Sequence, residues 1–88
     1  MPIISIINGL TIKMYFQQEE HNPPHVHAIH NETSGVIYIN GDKESEGNLK
    51  HNDLVLAENF VAKHKEELLE MWKTQSFHRI EGDANYVS

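Results

Sequence analysis

The chain changes its hydrophobic period near its middle, and that change limits the folds open to it. Up to about residue 40, apolar residues come in short runs or alternate. Leu10, Ile12, Met14 and Phe16 take one parity; Thr11, Lys13 and Tyr15 take the other. A period of two is that of a strand with one face buried. After residue 50, Leu54, Ala57, Val61, Leu68 and Met71 recur at spacings of three and four, with His64 on the same stripe. That is an amphipathic helix. Strands followed by helix predict an α+β domain of two layers.

Turn residues divide the first half. Ile3 to Ile7 is a β-branched run ended by Asn8-Gly9, a strong hairpin signal. Gln17 to Pro24 reads as a loop, because tandem prolines bar a central strand. His25 to His30 reads as the third strand, Asn31 to Gly35 as a turn, and Val36 to Asn40 as the fourth strand. Asn40-Gly41-Asp42 then leads to a short charged edge strand near 43–46. The sheet is therefore an antiparallel β-meander of four to five strands, packed on one face by C-terminal helix. That helix is one long element over about 50–75 or two short ones breaking near Ala62–Lys65. Phe77 to Ile80 reads as a last short strand. With 88 residues there is room for one domain, residues 1–88, with a core over about 2–80 and a tail at 82–88.

Composition excludes several classes. There is no cysteine, so disulfides and thiolate metal sites are ruled out, which fits a cytoplasmic setting. No apolar run reaches the ~20 residues of a membrane span. Thirteen acidic residues face seven basic ones, a formal net charge of −6. A general nucleic-acid footprint is not expected from that balance, whereas a basic protein partner is.

Seven histidines are an excess, and His21, His25 and His27 gather around Pro23-Pro24. In an extended strand His25 and His27 share a face, with Cα atoms ~6.5–7 Å apart. A stiff Pro-Pro elbow can fold His21 back toward them. Glu19, Glu20 and Glu32 supply oxygen ligands nearby. Val26 and Ala28 have the opposite parity and suit the helix-covered face, so the pair faces away from the helix. Three readings stand together. His21, His25 and His27 bind a divalent transition metal such as zinc. Or His25 and His27 work as metal-free acid and base, with Tyr15 as a hydrogen-bond donor. Or the histidines are ordinary strand residues beside a shaped loop. Trp72 reads as a core or rim anchor, and His64 as a satisfied, half-buried histidine.

Four segments in order, Met14-Tyr15-Phe16, His21-x-Pro23-Pro24-His25-x-His27-Ala28, Gly47-Asn48-Leu49 and Glu67-Leu68-Leu69-x-x-Trp72, closely resemble the bacterial DUF4160 family of unknown function. Its motif falls here on His21, Pro23, Pro24, His25 and His27. Lys50 stands where the family often has proline, Phe60 where it often has tryptophan, and Gln17 to Glu20 is longer than the commonest form. The resemblance implies a cytoplasmic protein often encoded beside a second small protein, in pairs like toxin–antitoxin modules. The expected function is a small interaction protein of such a bacterial module or of a defence system. Its histidine cluster would be a ligand, metal or partner site, and its partner a small cognate protein. The alternative is a histidine- or metal-dependent hydrolase or nuclease acting on RNA or a nucleotide. A homodimer through an open sheet face carrying Tyr15 and Tyr38 is a further option.

Overall fold

The computed structural model describes residues 3–15 and 23–80. They form the expected α+β arrangement. Strands β1 (Ile3–Ile7), β2 (Leu10–Lys13), β3 (His25–His30), β4 (Thr33–Tyr38) and β5 (Glu46–Gly47) are followed by helices α1 (His51–Lys63) and α2 (Lys65–Thr74). The sheet order is β1-β2-β3-β4-β5, and every pairing is antiparallel. Phe16, His21, Glu19, Glu20 and the expected tail at 82–88 lie outside the described residues.

Each turn follows from local chemistry. Asn8 and Gly9 have φ of 49° and 85°, the two positive values that a two-residue hairpin needs to match strand twist. In β1, alternation would put Ile4 and Ile7 on opposite faces. A register shift between Ile3 and Ser5 resolves this, and both Ile4 and Ile7 reach the core while Ile3 and Ile6 stay exposed. Asn31 takes the left-handed φ of 56°, so the β3–β4 turn is complete by Glu32. Thr33 and Ser34 already pair with His30 and Ile29, which corrects the longer turn expected over 31–35.

The last edge strand also differs from expectation. It lies at Glu46–Gly47, not 43–46. Gly47 has φ of 114°, and a Cβ there would meet the Ser34 carbonyl oxygen at 2.3 Å. Only glycine permits this approach, so Gly47 sets where pairing to β4 can occur. The expected strand at 77–80 does not form. Instead a single backbone bond runs from the Ile80 N–H to the Ile4 carbonyl, 2.7 Å, and Ile80 is buried.

The helical half is two helices, broken at His64, whose φ and ψ are −110° and 24°. The break lets Ala57, Phe60 and Val61 of α1 and Leu68 and Met71 of α2 each face the sheet. They meet Leu10, Ile12, Met14, Val26, Ala28 and Ile37 in one core. No helix among the described residues is long and apolar enough to cross a membrane.

Candidate functional site

The strand period carries the site. Val26 and Ala28 are fully buried beneath the helices, which turns His25 and His27 to the other face. Register sets their neighbours: His25 lies opposite Tyr38, and His27 lies between Lys13 and Val36. Just past β2, Tyr15 places its ring edge-on to His27, centroids 4.4 Å apart at 80°. The His25 and His27 rings are 5.2 Å apart at 70°. Tyr38 is 5.8 Å from His25, and Lys43 Nζ stands 5.7 Å from the Tyr38 ring centre. The result is a continuous row of Tyr15, His27, His25 and Tyr38 across three strands.

The tandem prolines orient the row. The Pro24 carbonyl accepts the Ile39 N–H at 2.9 Å and so extends the β3–β4 ladder by one rung. The Pro23 carbonyl lies 2.9 Å from His25 Nδ1. A carbonyl can only accept, so Nδ1 carries the proton and donates. In the neutral ring Nε2 is then a bare acceptor. The elbow predicted from Pro23-Pro24 therefore acts on His25 through its backbone.

Burial, and after it the neighbouring His25, hold the His27 imidazole below its usual 6.5. Desolvation and then the Glu46 carboxylate push the Tyr38 phenol above 10.0. Tyr38 stays protonated at neutral pH and donates to Glu46 Oε2 at 3.3 Å. The His27 shift has a sign that can be tested. A histidine that resists protonation only when folded stabilises the fold fully above 6.5. That contribution is lost as pH falls from 6.5 through the lower folded-state value. The urea midpoint should therefore decline between about pH 7.5 and about pH 5.5, and less steeply in His27→Gln. Equal slopes in the two proteins would remove His27 as the cause.

The remaining histidines are placed elsewhere. His30 Nδ1 donates to Asp53 Oδ2 at 3.0 Å, tying the end of β3 to the first turn of α1. Glu32 shares a hollow with that pair and with Lys50, at the far end of β3 from His25. It is not the nearby carboxylate ligand expected from sequence. His64 packs on Phe60, ring centroids 4.6 Å apart, and its Nε2 is buried without a hydrogen-bond partner among the described residues. It is half-buried as expected, with Nδ1 3.9 Å from Glu67 Oε1 and only Nε2 unsatisfied. His78 pairs with Glu67, and His51 is exposed. The structure thus brings His25, His27 and Tyr15 together, while His21 falls outside the described residues. Among the described residues no third histidine, aspartate or glutamate joins the pair in a metal-holding group.

One member of the site was missed from sequence. Trp72, in the last turn of α2, sets its ring 5.0 Å from His25 while also packing on the core. The spacing Glu67-Leu68-Leu69-x-x-Trp72 marked the residue but not its contact with His25. The hollow between residues 37–45 and the helices, about 610 Å³, adjoins the row at Tyr38. Its apolar floor includes Leu54 and Val61, and Ser45 Oγ donates to Glu58 Oε2 across it at 2.7 Å.

Fold and site together define a two-layer α+β domain with a meander sheet that carries an imidazole–aromatic row on the face turned from its helices. Residues 9–73 match the model of the DUF4160 family, a domain of unknown function, and the chain belongs to that family. No curated protein and no solved structure matches the chain.

Proposed function

We propose that this chain is a small cytoplasmic interaction protein of a bacterial toxin–antitoxin or defence-type module. Its open sheet face docks a small basic cognate protein. The observation that carries this reading is the row Tyr15, His27, His25 and Tyr38, with Trp72 packed beside His25. Tyrosine and tryptophan held by neighbours are the residue types that dominate the energetics of protein interfaces. Exposed Ile3 and Ile6 add apolar surface on the edge strand. The net charge of −6 favours a basic partner and speeds its encounter. Membership of a bacterial module is what the resemblance to the family implies.

The test is co-purification with the protein encoded beside it, followed by size-exclusion chromatography. One shared peak is expected at micromolar concentration. A Tyr15→Ala/Tyr38→Ala variant should keep its circular dichroism and weaken the complex by about 30-fold or more, the cost of losing a hot spot of ~2 kcal/mol. Two independent peaks for the native chain would overturn the reading, and self-association in their place would point to a homodimer through the same face.

One observation favours a second reading, a hydrolase or nuclease acting on RNA or a nucleotide. His25 holds its proton on Nδ1 and offers Nε2 as a base, with His27 and Tyr15 alongside. Turnover on an RNA and nucleotide panel, lost in His25→Gln, is its test.

A further inference from the structure

We infer that His25 and His27 form a two-nitrogen seat for a divalent transition-metal ion of the zinc class, set into the row of rings on the open face. The inference concerns the same face as the docking reading and rests on that reading only for its location.

Two observations carry it. The first is the fixed tautomer of His25. A metal-bound histidine characteristically donates its other ring N–H to a carbonyl or carboxylate, which aims the ligating nitrogen and raises its basicity. His25 already has this partner, with Nδ1 on the Pro23 carbonyl at 2.9 Å. That carbonyl is itself held, because proline has a fixed φ and the next carbonyl is tied to Ile39. The nitrogen left bare is Nε2.

The second is the ring separation. Zinc binds imidazole nitrogen at about 2.0–2.1 Å, and the ring centre lies roughly 1.1 Å further out. Two such rings at a tetrahedral angle stand about 5 Å apart. The His25 and His27 centroids are 5.2 Å apart. The centroid separation matches that of two rings on one ion; the rings now meet edge-on at 70°, and ring rotation is the adjustment that would turn both nitrogens to it.

The donor set selects the ion. Neutral imidazoles suit zinc, nickel and copper, while magnesium and calcium demand oxygen ligands. No further histidine, aspartate or glutamate among the described residues completes the set. The other coordination positions are open to water, to donors outside the described residues and to donors from a docked protein.

Calorimetric titration of zinc chloride into the full native chain, in a non-chelating buffer, is the test. Saturable binding is expected. His25→Gln/His27→Gln should weaken it by roughly 10–100-fold or more, since even an outer partner of a ligand is worth that much. His51→Gln, which alters an exposed histidine away from the row, should leave it unchanged. Nitrogen-15 spectra of the imidazoles give a second readout, in which zinc shifts Nε2 of His25 while Nδ1–H persists. Equal binding by the native chain and the double variant, or an unmoved Nε2 at millimolar zinc, would overturn the seat. Repeating the docking experiment in chelator separates the two ideas. A complex without zinc binding removes the seat alone, and zinc binding without a complex supports the seat and removes the docking reading.

Discussion

Replacing Phe60 with alanine is expected to lower the free energy of unfolding by about 3–5 kcal/mol. Phe60 is 1% exposed and is the largest fully buried side chain among the described residues. It projects from α1 into the layer between helix and sheet, and His64 rests on its ring. Truncation removes its apolar contacts and leaves a space that a small domain cannot close without moving α1. An 88-residue domain has only roughly 4–13 kcal/mol of stability at ~0.05–0.15 kcal/mol per residue. The variant should therefore be marginal or unfolded at physiological temperature. Urea titration followed by circular dichroism measures the change, and Phe60→Leu should restore much of it. A loss below about 1 kcal/mol would mean that α1 does not pack on the sheet as described.

Gly47→Ala is expected to have the next largest effect and to reach the site. Its positive φ alone makes any side chain strained, at about 1–3 kcal/mol. The new Cβ would also meet Ser34 oxygen at 2.3 Å and the Gly35 Cα at 2.6 Å. Neither neighbour is a flexible side chain, so β5 must move. That movement breaks a reciprocal pair in which the Asn48 N–H donates to the Ser34 carbonyl at 2.8 Å and Asn48 Oδ1 accepts the Ser34 N–H at 2.9 Å. It also carries away Glu46, the acceptor for the Tyr38 hydroxyl. Amide exchange should quicken at Asn48 while the β2–β3 rungs stay protected. The Tyr38 phenol should titrate closer to its ordinary range, because one cause of its upward shift has gone. A fully native exchange pattern in this variant would show that the close approach of β4 and β5 is absent.

These two positions also show what sequence can and cannot reveal. The helix period exposed the buried stripe of Ala57, Val61, Leu68 and Met71, because periodicity is a local property. Asn8-Gly9 was readable for the same reason, since its backbone preference is carried by the two residues themselves. Gly47 was not readable as the marker of β5. Its need for glycine comes from Ser34, on another strand. Phe77 to Ile80 reads as a strand in the sequence, yet its partner is Ile4, at the far end of the described chain, and only the Ile80 rung is made.

The site divides in the same way. That His25 and His27 would share a face opposite Val26 and Ala28 follows from a period of two, and the burial pattern agrees. That Pro23 would bind the His25 ring through its carbonyl could not be read from the prolines' stiffness. It requires the side-chain torsions of His25 together with the turn of the chain. Trp72 needed still more, namely the path of α2 after the break at His64.

The spatial order of the strands repeats their order along the chain. Each rung of the ladder can therefore close between segments that are synthesised one after another. Hairpins of this kind zip in roughly 1–10 μs, and among the described residues the Ile80-to-Ile4 bond is the one that joins the two ends of the chain. The molecule is thus built to assemble progressively, with that late clasp arriving after both helices have emerged, and little of its architecture waits on a slow search through long loops.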